Sequence, residues 1–164
     1  MNKAVFLDRD GVINRNLDGY VKTIEELEIF PFVSKVIKNL NQMNFKVIVI
    51  TNQSAINRGI ITHQKLHEIH QIIQNYLKKN YAFIDAFYYC PHRPDEDCIC
   101  RKPKSDLLEK AIQEFKINIK TSWMIGDNES DITAGKNIGL KTIKIKTGYN
   151  LEDAMKTIIN CENK

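Results

Sequence analysis

Asp8 and Asp10 stand two residues apart at the end of the apolar run Lys3–Leu7, and Gly11 follows them. Two carboxylates held that close repel each other unless a cation or a shared proton compensates. A hard, oxygen-seeking ion such as Mg²⁺ fits the pair, and it takes one or two protein carboxylates together with phosphate oxygens, which makes Asp127 the natural third contributor. One carboxylate can then attack phosphorus, as in aspartyl-phosphate chemistry, while the other protonates the departing oxygen. Taken alone, Asp8-x-Asp10-Gly11 also reads as a plain turn, because Asp and Gly are common turn residues. Thr51 and Asn52 close the next apolar run with hydroxyl and amide groups for phosphate oxygens, and Lys102 supplies the positive charge that phosphoryl transfer needs.

A second cluster lies at Cys90-x-His92 and Cys98-x-Cys100, within eleven residues. Three thiolates and one imidazole match a closed tetrahedral Zn²⁺ site, which has no open position for water and is therefore structural. Disulfide pairing is the alternative, but it leaves one of the three clustered cysteines over, and a cytosolic chain keeps its thiols reduced. Arg101 and Lys102 follow the last ligand directly, so the ion would fix the loop that delivers Lys102. Cys161 reads as an ordinary unpaired cysteine. His63, His67 and His70 share helical spacing without a completing carboxylate pattern and read as a solvated helix face.

The elements that must position these groups alternate along the chain. Strands are expected at Lys3–Leu7, Lys46–Thr51, Ala86–Cys90, Trp123–Ile125 and Lys141–Ile145, and helical patterns run between them. Val33, Val36, Ile37 and Leu40 share one face after Pro31, and Leu66, Ile69, Ile73 and Leu77 share another after a Thr62 cap. A third helix starts at Ser105, a fourth follows Asp131 and stops at Gly139, and a short terminal helix begins at Leu151. This order predicts an α/β fold, doubly wound and Rossmann-like, with a mostly parallel sheet and helices on both faces. In such folds ligands bind beyond the carboxyl ends of the strands, where Asp8, Thr51, Cys90 and Asp127 fall. Too little sequence lies between these motifs for a cap domain. The pocket is expected under the loops Asn14–Leu27, Ser54–Ile61 and Arg93–Arg101.

With 164 residues the chain fits one domain, large enough to bury roughly 70% of its unfolded surface. Residues 1–150 read as the functional domain with its zinc-stabilised loop, and 151–164 as a terminal helix or frayed tail. The apolar runs are far too short to cross a bilayer, and Met1–Leu7 makes a poor signal peptide because Asp-Arg-Asp follows it. The expected setting is the cytoplasm, with no membrane partner. The net charge of +4 is scattered and suits an anionic metabolite; with no helix-turn-helix or RNP motif, no nucleic-acid partner is expected.

Asp8-x-Asp10-Gly11, Thr51-Asn52, Lys102 and Gly126-Asp127-x-x-x-Asp131, in this order, resemble the haloacid dehalogenase superfamily of phosphatases. The resemblance implies that Asp8 is the nucleophile, Asp10 the general acid and base, and Thr51 and Lys102 the holders of the phosphoryl group. It implies Mg²⁺ on Asp8, the Asp10 backbone carbonyl and Asp127, with Asp131 orienting its neighbours. The cysteine loop is similar to that of the capless branch containing heptose 1,7-bisphosphate phosphatases and histidinol-phosphate phosphatase domains, in which Arg101 would also touch substrate. Thr51-Asn52-Gln53-Ser54-Ala55-Ile56-Asn57-Arg58-Gly59 resembles the heptose form, implying substrate contacts from Asn52, Ser54 and Arg58 and hydrolysis of the 7-phosphate. Ala55 stands where that form has glycine, and Lys104-Ser105-Asp106 stands where it has Pro-Gly. Histidinol phosphate is the alternative substrate, and a noncatalytic zinc module the alternative of another class. A phosphorylated small molecule is the expected partner, and a monomer the expected state.

Overall fold

The computed structural model describes residues 1–163, so the final residue of the predicted tail lies outside the described residues. Five strands form one all-parallel sheet: β1 (Lys3–Leu7), β2 (Phe45–Asn52), β3 (Ala86–Cys90), β4 (Trp123–Gly126) and β5 (Lys141–Lys144), in the spatial order β3-β2-β1-β4-β5. The helices are α1 (Val33–Gln42), α2 (His63–Lys79), α3 (Asp106–Phe115), α4 (Glu129–Asn137) and α5 (Leu151–Glu162). All five expected strands are present, with ends shifted by at most one residue.

Strand alternation divides the core in two. Val5 and Leu7 of β1 and Val47 and Val49 of β2 face one side, where α1, α5 and the inner stripe of α2 cover them. Ala4, Phe6, Ile48 and Ile50 point to the other side and meet α3 and α4. Period-two alternation with apolar residues on both faces is what a sheet buried between two helical layers requires. The terminal segment is a helix that buries Leu151, Ala154, Met155 and Ile158 and packs on α1. Among the described residues, no helix is long and apolar enough to cross a membrane, and no helix or strand stands outside the sheet and its helices as a cap.

Helix starts follow their caps. Thr62 Oγ1 accepts the Lys65 N–H at 3.0 Å and opens α2. The fourth helix begins at Glu129, not after Asp131 as expected from sequence. Asp131 lies inside its first turn and accepts the Asn128 N–H at 3.0 Å, a reach-back carboxylate that favours starting the helix at Asn128. A second departure concerns the histidines. His63 and His67 are exposed, but His70 is buried because it lies four residues after Leu66 and three before Ile73, on the apolar stripe of α2.

Candidate active site

The carboxyl ends of β1, β2 and β4 converge. Asp8 follows β1 directly and its N–H donates to the Ile125 carbonyl of β4 at 3.0 Å. Lys102 arrives from the loop after β3 and is almost wholly buried. Its Nζ lies 3.0 Å from Asp8 Oδ1, 2.6 Å from Asp131 Oδ1 and 2.6 Å from the Ile50 carbonyl. A buried ammonium would normally lose its proton, but the charges of Asp8 and Asp131 outweigh that desolvation and raise the Lys102 pKa. Burial also pushes the Asp8 carboxyl up to about 7; Lys102 pulls against this, while Asp131 and Asp10 add to it.

Asp127 follows β4 and completes a set with Asp8 and Asp131, each offering an oxygen within 4.8 Å of the others. Asp127 Oδ1 is buried without a hydrogen-bond partner, and burial followed by the Asp131 charge raises its pKa. Such an oxygen beside a second carboxylate suits a small, hard divalent cation. Gly11 makes the approach possible. Its φ is +84°, and a Cβ there would overlap the Asp127 carboxylate, so the position needs glycine for both backbone and space.

Asp10 is turned toward a different set of partners. Arg9 Nη2 donates to both of its oxygens at 2.7 and 3.0 Å and Arg9 Nε to Oδ1 at 3.2 Å; Asn14 Nδ2 and Gln53 Nε2 add bonds at 2.9 and 2.8 Å. Burial opposes ionisation of Asp10, but the Arg9 charge and these donors outweigh it and hold its pKa below the usual carboxylate value. Gln53 Nε2 also donates to Thr51 Oγ1 at 2.9 Å, which ties the end of β2 to Asp10. Behind Arg9 sits His70, whose Nε2 is 3.4 Å from Nη1 and whose ring stacks on Phe87 at 4.5 Å. Burial, then the Arg9 charge, lowers the His70 pKa to about 3.

The remaining expected residues fall around this centre in unequal ways. Asn52 pairs with the backbone of Lys102: its Oδ1 accepts the Lys102 N–H at 3.1 Å and its Nδ2 donates to the Lys102 carbonyl at 3.2 Å. The amide expected to offer donors to phosphate holds the backbone of Lys102. Ser54 is buried, with its Oγ 3.1 Å from the hydroxyl of Tyr20, a roof residue at φ 67°. Arg58 is exposed on the 54–61 loop. Arg101 Nη1 donates to the His92 carbonyl at 3.1 Å and so lies across the cysteine loop. Sequence reasoning gives Arg9, Asn14 and Gln53 no role, and it groups His70 with His63 and His67 as a solvated face although its spacing from Leu66 and Ile73 signals burial.

The cysteine loop converges as expected. Cys90, His92, Cys98 and Cys100 place their donor atoms within 4.8 Å of one another, and all three cysteines are free thiols. Cys90 Sγ is 3.7 Å from Cys98 Sγ and 3.0 Å from Cys100 Sγ, and His92 Nδ1 is 3.4 and 3.3 Å from Cys90 and Cys100. A tetrahedron with metal–sulfur bonds of about 2.3 Å has sulfur–sulfur edges of about 3.8 Å; the Cys90–Cys98 spacing matches this, and the Cys90–Cys100 pair is tighter and would open on binding an ion. Burial raises the Cys90 pKa, a cost that metal coordination removes. Two bonds from Asn57 Nδ2 to Glu96, both 3.1 Å, join this loop to the roof loop after β2.

A parallel sheet whose central strand ends in a buried carboxylate paired with lysine, beside the unpaired oxygen of Asp127, is an arrangement suited to phosphoryl transfer. The comparisons agree with that chemistry. Residues 2–139 match the model of the haloacid dehalogenase-like hydrolases. Two D-glycero-beta-D-manno-heptose-1,7-bisphosphate 7-phosphatases from different Helicobacter pylori strains are similar to the chain. One is 43% identical over 85% of this chain and 81% of its own, the other 40% over 99% and 92%. The crystal structure of a D,D-heptose 1,7-bisphosphate phosphatase from B. bronchiseptica, complexed with magnesium and phosphate, superposes with a TM-score of 0.84 at 25% identity, covering 96% of this chain and 98% of that one. The chain belongs to the haloacid dehalogenase-like hydrolase family, and it is a phosphatase.

Proposed function

We propose that the protein hydrolyses the 7-phosphate of a D-glycero-D-manno-heptose 1,7-bisphosphate through an aspartyl-phosphate on Asp8. The observation that carries the chemistry is the buried Asp8–Lys102–Asp131 set beside the unpaired Asp127 oxygen. Lys102 takes one Asp8 oxygen and leaves the other for phosphorus, while Thr51 presents its hydroxyl from the end of β2. Asp10 handles the protons, and Asp131 orients Lys102. Mg²⁺, held by Asp8, the Asp10 backbone carbonyl and Asp127, would neutralise phosphate charge. The Cys90, His92, Cys98 and Cys100 set fits a structural Zn²⁺ that stiffens the loop carrying Arg101 and Lys102.

The substrate reading draws on the two relatives at 43% and 40% identity, both heptose-1,7-bisphosphate 7-phosphatases. The motif departure at Ala55 is compatible with it. Ala55 has no positive φ, and its methyl is buried with Ile61 and Leu66, so glycine is not required there. Ser54, Arg58 and Arg101 are assigned to the substrate's outer part, within the domain of residues 1–150, and the terminal helix supports it. In this proposal the protein acts as a monomer in the cytoplasm, where reducing conditions would keep the Cys90, Cys98 and Cys100 thiols available to a metal. The test compares kcat/KM with magnesium for both anomers of heptose 1,7-bisphosphate and for histidinol phosphate; dominant turnover of histidinol phosphate overturns the substrate assignment.

A further inference from the structure

We propose that Arg9 is a positioning residue whose guanidinium fork, braced by His70 against Phe87, fixes the Asp10 carboxylate as the acceptor for a proton from the attacking water. The inference rests on the reading of Asp10 as the proton-handling group and goes beyond it by naming what holds that group in place.

Arg9 is 1% exposed, and it heads the largest fully buried side chains of the protein. Burying a guanidinium is costly unless its donors are matched. Here they meet the two Asp10 oxygens, at 2.7 to 3.2 Å, and His70 Nε2 at 3.4 Å. A guanidinium only donates, so His70 must present the lone pair of Nε2 and carry its proton on Nδ1. The His70 ring is itself fixed by stacking on Phe87 of β3, at 4.5 Å and 18°. The line from Phe87 through His70 and Arg9 to Asp10 thus runs from a sheet strand to the proposed reacting groups. The other neighbours of the carboxylate, Asn14 Nδ2 and Gln53 Nε2, are donors too. Asp10 is therefore surrounded as a proton acceptor. In the step this serves, a water oxygen attacks phosphorus, one water proton passes to Asp10, and the bond between phosphorus and the Asp8 oxygen breaks with its electron pair returning to Asp8. The Arg9 donors meet Asp10 and His70, so Arg9 acts through Asp10.

The test uses p-nitrophenyl phosphate with magnesium, because p-nitrophenolate departs without a proton and the first half-reaction then needs no help from Asp10. Wild type, Asp10→Asn, Arg9→Lys and His70→Phe are followed by stopped flow. Lysine keeps the charge but not the planar fork. In Arg9→Lys, kcat/KM should stay within about threefold of wild type while kcat falls about tenfold or more, with a burst near one p-nitrophenolate per enzyme as phosphoenzyme accumulates. His70→Phe keeps the stack on Phe87, loses the contact to Arg9 and should change kcat in the same direction by less. If Asp10→Asn gives the burst but both other variants behave as wild type, the inference is wrong while the Asp10 reading stands. Equal loss of kcat and kcat/KM in Arg9→Lys, with no burst, overturns it in favour of a structural arginine. Normal turnover by Asp10→Asn would remove the reading beneath it.

Discussion

Replacing Asn52 by alanine separates two roles for that residue with different measurable consequences. A phosphate ligand would leave stability nearly unchanged on truncation and would raise KM. The structure places one Asn52 N–H and its Oδ1 on the backbone carbonyl and N–H of Lys102, at 3.2 and 3.1 Å. Each such bond contributes about 0.5–1.5 kcal/mol, so losing both should cost about 1–3 kcal/mol of unfolding free energy. The effect on turnover should be moderate, because Lys102 Nζ keeps Asp8, Asp131 and the Ile50 carbonyl as anchors. A kcat loss of about tenfold, corresponding to about 1.4 kcal/mol, is expected with KM little changed. Asn52→Asp sharpens the comparison, since one carboxylate oxygen still accepts the Lys102 N–H while the other now faces the Lys102 carbonyl, making this near-isosteric variant no better than alanine. Urea unfolding and steady-state kinetics on the same preparations decide it. An alanine variant within about 0.5 kcal/mol of wild-type stability, with kcat intact and KM raised, would refute the clamp.

Asp8→Asn should abolish phosphate release while leaving the urea midpoint near that of wild type, and persistent release excludes Asp8 as nucleophile. Gly11→Ala should fold less stably by about 1–2 kcal/mol from the left-handed backbone alone, and it should need more magnesium for half-maximal activity because the new methyl displaces Asp127; an unchanged magnesium dependence contradicts this. Elemental analysis should find one zinc per chain, and Cys98→Ser should lower both zinc content and the melting temperature; a zinc-free preparation with wild-type melting removes the structural ion. His70 sets part of the acid stability. Its folded pKa is lowered to about 3 from an unfolded value near 6.5, so the unfolded chain binds the extra proton. The contribution is complete above pH 6.5 and is lost as pH falls toward 3, at about 1.4 kcal/mol per pH unit. Between pH 7 and 5 the wild type should lose about 2 kcal/mol more than His70→Phe in urea titrations; parallel curves would show that His70 is not buried neutral.

The strand ends were legible because apolar runs stop where polar residues begin. Asp8, Thr51 and Asp127 each follow such a run and lie at the site. Lys102 could be placed because Cys100 lies two residues before it and the cysteine cluster marks a loop. What a linear reading lacks is direction. Nothing in Asp8-Arg9-Asp10 says that Asp10 turns toward Arg9, since that depends on His70 and Phe87, far off in sequence and meeting only once α2 packs beside β3. The same holds for Asn52, whose partner is fifty residues away. His70 is another kind of miss, because its offsets from Leu66 and Ile73 place it on the buried stripe and grouping it with His63 and His67 hid that. The start of α4 was likewise readable from Asn128 followed by acids at 129 and 131, a cap and first turn in the usual order.

Strand register explains why the two halves of the site fall on opposite sides of Asp8. Leu7 pairs with Val49 of β2 and with Ile125 of β4, so Asp8 is level with Ile50 on one side and Gly126 on the other. Thr51 is one residue further along β2, which overruns Asp8, and Asp127 is the first residue past the end of β4. The β2 side contributes donors and positive charge, because Lys102 Nζ is tied to the Ile50 carbonyl and takes Asp8 Oδ1. On the β4 side stands the unpaired oxygen of Asp127, which asks for a cation. Under the proposed assignment, a phosphoryl group at Asp8 would have the Lys102 ammonium on one flank and the Asp127 oxygen for a metal on the other, with one Asp8 oxygen held by Lys102 and one left to react. Moving either flanking strand by one residue would reverse its side-chain faces and take Thr51 or Asp127 away from this line. The chemistry is therefore bound to the sheet's pairing, and the loops above it are left to choose the substrate.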